Sequence, residues 1–324
     1  MEKVKESSLA GGLHSGGLKV EGLSKKRRWF CLKDISFEVP PGSILGLLGR
    51  NGSGKTTIMK LLAGHTTRSH GNIFVNHVDM GKDLVLAQSQ IGFVLDAPMF
   101  LEAKSLWENG RIFGRFYPEF TEKGWKTWLS ACGLQKSDLL GQLSKGDRVK
   151  FQFAFAMSHH PKVLLLDEPT GNLDPVSRKE FLNMLLEVVE NGQISVLFSS
   201  HLTTDLEQVA DQVALLDQGE ILYSSSMGQL FSRYCLIKGG PREGEQIQAR
   251  HYPEIVGMKV TQVGFEALLD KGKLPKRSGN SLANATPGWQ AELGNQVVYE
   301  ETDLSRWMYY MVKGGGRHGK VVSE

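Results

Sequence analysis

The stretch Gly49-Arg50-Asn51-Gly52-Ser53-Gly54-Lys55-Thr56-Thr57 follows the apolar run Ile44 to Leu48 and fits the pattern G-x-x-x-x-G-K-[ST]. The run reads as a buried strand, and Thr56 to Ala63 reads as the helix it feeds. Glycines at 49, 52 and 54 let the backbone turn so that successive N–H groups face inward, a concave anion site at the positive end of a helix. Strand, glycine loop and helix together predict a phosphate loop in an α/β fold. Lys55 is expected to reach the β and γ phosphates and the Thr56 hydroxyl to take a Mg²⁺ position, because a triphosphate needs charge neutralisation and a fixed metal geometry.

Downstream, Val163-Leu164-Leu165-Leu166-Asp167-Glu168-Pro169 is an apolar strand that delivers two carboxylates at its carboxyl end, the edge where open α/β sheets bind ligands. Asp167 is expected to hold Mg²⁺, directly or through water, and Glu168 to orient or deprotonate the water that attacks the γ phosphate. Between the two motifs, Leu143-Ser144-Lys145-Gly146-Asp147 opens a helix through Met157, a serine and glycine at an N-terminus that suit a phosphate. Gly171-Asn172-Leu173-Asp174-Pro175 forms a turn and opens a helix to about Glu190. A second apolar strand, Ile194 to Phe198, ends in Ser199-Ser200-His201, which places His201 at the same edge as a γ-phosphate sensor.

The rest of the chain frames these motifs. With 324 residues and 40% hydrophobic content it can bury a substantial core, as one large or two modest domains. A net charge of +3 is too near balance to argue for a nucleic-acid partner. Cys31, Cys132 and Cys235 lack metal-ligand spacing and read as packing residues of a reducing compartment. No apolar run approaches the length of a membrane span and the start lacks the apolar core of a secretory signal, so a cytoplasmic chain is expected.

Residues 1–17, rich in Gly, Ser and Lys, read as a flexible tail. Ile35, Phe37 and Val39 alternate with polar neighbours as a half-buried strand, and Gly71 to Val78 and Ile91 to Leu95 read as further strands. Beside the basic run Lys25 to Arg28 stand Trp29 and Phe30, either core aromatics or a face on which a purine stacks. From about 97 to 160, Trp107, Phe113, Phe116, Tyr117, Trp125, Trp128 and Leu129 recur at helical spacing, an inserted helical subdomain with an aromatic core. Val213 to Leu216 and Ile221 to Tyr223 predict a hairpin. Beyond it, Gly239 to Gly244 and Ser278 to Ser281 read as loops, Ile255 to Leu269 carries mixed signals, and Asp303 to Val312 predicts a short amphipathic helix packed on the hairpin or on a dimer mate.

The ordered set GRNGSGKTT, LSKGD, LLLDEP, GNLD and SSH resembles the ATP-binding subunit of an ABC transporter from about Leu18 to Ser225. The wording Leu32 to Val39, the Asp96-Ala97-Pro98 after Val94, and Phe116-Tyr117-Pro118 further resemble the bacterial ABC-2 type subgroup, often found in export. The resemblance implies an α/β P-loop NTPase core over 18–225 with an N-terminal antiparallel β region and the helical insert, followed by a small α+β extension over 226–324. It implies ATP and Mg²⁺ as ligands and a second ATPase subunit, identical or different, whose Ser144 and Gly146 complete each ATP site. It also implies a membrane permease on whose cytoplasmic face the chain sits. Where the family usually carries a Gln that meets Mg²⁺, this chain has Asp96, which is assigned to the metal. The adenine is assigned to Trp29 or, second, Phe30. The alternative reading, a soluble ABC ATPase acting on ribosomes or DNA, is expected to bring a second cassette or long coiled coils, neither of which the sequence shows.

Overall fold

The computed structural model describes residues 16–27, 30–95, 100–274 and 297–314. Their contacts form two compact units, one drawn from Met1–Ile44 and Lys55–Ser199, the other from Leu45–Gly54 and Ser200–Glu324.

In the first unit, β1 (Leu18–Arg27), β2 (Phe30–Val39), β4 (His70–Val75) and β5 (Val78–Asp79) form an antiparallel sheet in the order β2-β1-β4-β5. The expected alternation holds: Leu32, Ile35, Phe37 and Val39 are buried and Ser36 is exposed. A second layer is parallel. β7 (Val163–Asp167) pairs with β6 (Ile91–Val94) on one side and β8 (Ser195–Ser200) on the other. All residues of β7 and β8 are buried, the continuous apolar pattern of strands covered on both faces. Helix α1 (Lys55–Leu62) packs against β7, and the short α2 (Leu84–Ser89) leads into β6.

The helical region contains α3 (Leu106–Phe113), α4 (Glu122–Ala131) and α5 (Lys145–Met157), followed in the chain by α6 (Pro175–Asn191) beyond β7. Ser105 and Glu108 close a capping box at the start of α3. Hydrogen bonds to Glu108 from Lys104 and from Ser105 hold its carboxyl at about 2. Trp125 is fully buried, its ring 5.7 Å from Phe151 and 6.0 Å from Phe155, so an aromatic core exists. Phe116 departs from the expected stripe: it is 76% exposed, because a 3-10 turn at Gly114–Phe116 breaks the α-helical spacing that would have carried it inward.

In the second unit β3 (Ile44–Leu48), whose residues from Leu45 onward belong there, runs parallel to β9 (Gln212–Asp217), which forms the expected hairpin with β10 (Glu220–Ser226). α7 (Thr203–Val209) precedes the hairpin and α8 (Met227–Arg233) follows it. The C-terminal segment is more regular than its sequence suggests. β11 (Tyr234–Gly239), β12 (Ile255–Thr261), β13 (Gly264–Asp270) and β14 (Val298–Glu300) make an antiparallel sheet in the order β12-β13-β11-β14, with α9 (Pro241–Arg250) linking β11 to β12. This is the strand order of a split βαβ unit. The mixed signals over Ile255 to Leu269 resolve into the β12–β13 hairpin.

The loop expected at Gly239 to Gly244 is instead the start of α9, with Gly240 as cap and Pro241 in the first turn. Gly244 lets that helix close on the sheet, since a Cβ there would meet Phe265 at 2.7 Å. Cys235, Ile237, Ile247, Phe265, Ala267 and Leu269 form the core beneath α9. The last helix, α10 (Leu304–Gly314), matches the expected amphipathic helix. Its Trp307 is fully buried, 5.1 Å between ring centroids from Tyr223 of the hairpin. Cys132 and Cys235 are buried and no disulfide forms among the described residues. Residues 278–281 lie outside the described residues.

Candidate functional site

Each end of the loop 49–54 is shaped by its glycines. A Cβ on Gly49 would lie 2.4 Å from the carbonyl oxygen of Leu216 and 2.5 Å from Ser53 Oγ, so no larger residue fits where β3 ends. Gly52 and Gly54 take φ of 81° and 118°, the left-handed region that glycine enters without a Cβ penalty. The turn is tied by Ser53 N–H donating to the Arg50 carbonyl at 3.1 Å and by Gly219 N–H donating to the Ser53 carbonyl at 3.1 Å. Ser53 Oγ is buried with no partner among the described residues, an orphaned hydroxyl inside the cradle. Such a buried polar atom is costly unless a ligand or water engages it. Arg50 and Asn51 are exposed at the rim.

Lys55 opens α1 and is 6% exposed, its ammonium 3.4 Å from Glu168 Oε1. Thr56 is exposed and Thr57 half-buried beside it. At the carboxyl end of β7, Asp167 is buried and accepts a 2.6 Å hydrogen bond from Ser199 Oγ of β8. Glu168 adopts a left-handed backbone with φ 51°, a conformation that costs a non-glycine residue about 1 kcal/mol. Its N–H donates to the Ser199 carbonyl at 3.0 Å, which ties that turn to the end of β8. The first unit thus gathers Lys55, Asp167 and Glu168 at the strand ends. Ser199 joins them, and sequence reading gave it no role. The signal was available only through pairing, since the parallel register sets Asp167 opposite Ser199.

The remaining candidates stand elsewhere. Ser144 caps α5, its Oγ accepting from Asp147 N–H at 3.1 Å and donating to Asp147 Oδ2 at 2.7 Å. Gly146 faces α6, where a Cβ would meet Ser177 Oγ at 2.9 Å. Ser177 in turn donates to Asp174, the cap of α6, at 2.6 Å, and this bond holds the Asp174 carboxyl below its usual range. His201 follows β8 in the second unit and is exposed. Phe30 is half-buried at the β1–β2 turn, paired with Arg27. Trp29 and Asp96 lie outside the described residues.

The donor set fits a triphosphate and a magnesium ion. No group of three or more His, Cys, Asp or Glu that could hold a metal occurs among the described residues. Magnesium that keeps waters and takes phosphate oxygens needs only one or two protein oxygens, and the carboxylate of Asp167 offers one. In the first unit a hollow of about 180 Å³ is lined by Phe93, Leu95, Phe113, Phe116, Tyr117 and Phe155. Gln152 Oε1 accepts the Leu95 N–H at 3.0 Å at its edge.

A family model described as ABC transporter matches residues 32–171. The uncharacterised ABC transporter ATP-binding protein YdbJ of Bacillus subtilis strain 168 is 33% identical over 207 residues, 63% of this chain and 67% of that protein. The bacitracin transport ATP-binding protein BcrA of Enterococcus faecalis is 28% identical over 219 residues, 67% of this chain and 71% of that protein. Among solved structures, cbiO1 from Clostridium perfringens, part of the ABC transporter complex cbiONQ, superposes with a TM-score of 0.60 at 25% identity, covering 68% of this chain and 92% of that one. The glycine cradle, the paired lysine and glutamate and these likenesses agree: the chain belongs to the ABC transporter family, as one of its ATP-binding, ATP-hydrolysing proteins.

Proposed function

We propose that this chain is the ATPase subunit of a transporter in which a separate membrane permease carries the cargo, outward in keeping with the resemblance of Leu32 to Val39 and Phe116-Tyr117-Pro118 to the ABC-2 type subgroup. The observation that carries the reading is the meeting of Lys55 and Glu168 at 3.4 Å beside the buried Asp167. The backbone N–H groups of 49–54 and the Lys55 ammonium bind the β and γ phosphates. Thr56 and Asp167, with Asp96, would hold Mg²⁺, which would supply charge neutralisation and a fixed phosphate geometry. Glu168 accepts the proton of the attacking water, and His201 donates to the γ phosphate. Trp29 or Phe30 stacks on the base.

Ser144, exposed at the start of α5, and Gly146, buried in its first turn, offer that helix start to the ATP of a second ATPase subunit, identical or different. An isolated phosphate loop leaves one side of the γ phosphate in water, and a second helix N-terminus supplies the missing donors. No described helix is long and apolar enough to cross a membrane. Association with the cytoplasmic face is assigned to the permease, for which the aromatic hollow with exposed Phe116 offers a groove for a cytoplasmic helix.

Light scattering of the Glu168→Gln protein with and without Mg·ATP tests the reading. A doubling of mass on adding Mg·ATP supports two shared ATP sites between copies of this chain. A monomer that binds ATP without doubling directs the search to a different ATPase partner. A monomer that binds no ATP overturns the site.

A further inference from the structure

We propose that the C-terminal helix α10 positions the His201 segment and the phosphate loop for ATP hydrolysis, with Glu207 and Trp307 as the positioning residues. This rests on the roles given above to His201 and the 49–54 loop.

The contacts that join α10 to these segments all lie within the second unit. α7 begins two residues after His201, at Thr203. Its inner face has no slack. Leu206 is fully buried, and Gly46 of β3 stands so close that a Cβ there would lie 3.1 Å from both Leu206 δ carbons. β3 runs directly into the loop at Gly49. The outer face of α7 carries Glu207, whose carboxylate accepts the N–H of Leu304, the first residue of α10. A segment roughly a hundred residues later in the chain thus takes one of its helix-start hydrogen bonds from the helix that follows His201.

One turn further along α10, Trp307 makes the second contact. Its buried ring meets Tyr223 of β10 at 5.1 Å and Tyr234 at 6.1 Å. The turn of the β9–β10 hairpin donates Gly219 N–H to the Ser53 carbonyl of the phosphate loop. α10 is therefore keyed into two elements, and each continues to a phosphate-facing segment. At its far side Tyr310 donates to Glu266 Oε1 of β13 at 3.0 Å, which seats the helix on the C-terminal sheet. Close-packed interiors transmit displacement, so a shift of α10 moves both α7 and the hairpin. A helix that merely covered the sheet would need neither Glu207 nor Tyr223.

The test uses the full chain with three changes: Glu207→Ala, which removes the acceptor; Glu207→Gln, which keeps one; and Trp307→Phe, which shortens the key. Hydrogen–deuterium exchange without nucleotide is followed over residues 199–210 and 49–57, alongside kcat and KM for Mg·ATP. Glu207→Ala is expected to raise exchange over 199–210 about tenfold and to lower kcat about fivefold with KM within about twofold, and Glu207→Gln to restore most of both. Exchange that rises only over 304–313, or kcat that stays within about twofold of wild type while 199–210 loosens, overturns the proposal. Glu207 is exposed, so its variants report even if Trp307→Phe fails to fold. If the wild-type chain hydrolyses no ATP, the catalytic reading fails, and the exchange comparison alone still decides whether α10 holds α7.

Discussion

The Lys55 ammonium lies 3.4 Å from Glu168 Oε1, so the cation of the phosphate loop and the carboxylate beyond β7 share one site. Their charges serve different steps. Lys55→Ala removes the cation that a triphosphate requires, and Mg·ATP binding measured by equilibrium titration is expected to vanish. Glu168→Gln keeps the shape and a hydrogen-bonding side chain but removes the base. It is expected to bind Mg·ATP at near wild-type affinity while turnover falls about a hundredfold or more. Equal loss of binding in both variants would show that Glu168 shapes the pocket rather than moving a proton.

Ser199 holds the second carboxylate. Its hydroxyl donates to the buried Asp167 at 2.6 Å, and a hydrogen bond to a charged group contributes about 1.5–3 kcal/mol. Ser199→Ala is expected to lower stability by that order in urea unfolding and to raise the Mg²⁺ concentration needed for half-maximal ATPase several-fold. Ser199→Thr, which keeps the hydroxyl, is expected to restore the metal requirement. A Mg²⁺ dependence unchanged in Ser199→Ala would make the bond purely structural.

These features differ in how far a sequence can announce them. The loop 49–54 is legible because its glycines encode their own backbone, and Asp167-Glu168 because a run of four apolar residues fixes where the strand ends. Ser199 was not, since its role depends on the register between strands 32 positions apart. Phe116 misled because a single 3-10 turn rotates it out of the helical stripe. The C-terminal sheet was obscured by its own punctuation. Gly240, Pro241 and Gly244 look like loop residues, yet they cap, start and close-pack α9. Fold class and the nucleotide motifs are local properties. The C-terminal topology depends on pairings between strands distant in the chain.

His159 gives the chain an acid limit. Burial lowers its imidazole to about 4, against an ordinary 6.5, and its ring stacks on Tyr117 at 3.9 Å. The fold favours the neutral ring, so the unfolded chain takes up this proton first. Stability is therefore expected to fall as pH drops from about 6.5 towards about 4 and to level off below that. The loss is about 3 kcal/mol at roughly 1.4 kcal/mol per pH unit. Urea unfolding of wild type and His159→Phe between pH 4 and 7 checks this. His159→Phe should lose most of the slope in that window, and a slope unchanged by the substitution would assign it to other groups.

Gly146 separates folding from function at the start of α5. A Cβ there would lie 2.9 Å from Ser177 Oγ, the end of a short rotatable side chain that also donates to Asp174. Gly146→Ala is therefore expected to cost stability by about 1 kcal/mol or less, as Ser177 turns aside and loosens the α6 cap. If Gly146 serves only this packing, Gly146→Ala combined with Ser177→Ala should relieve the crowding and return full ATPase activity. If the glycine instead lets a second subunit's triphosphate approach the Ser144 helix start, the double variant stays inactive while melting close to the Ser177→Ala protein. The second outcome is expected, because relieving the contact with Ser177 does not restore the glycine that the proposed shared ATP site has at its helix start. Thermal unfolding and steady-state ATPase of the four proteins in this cycle distinguish the two.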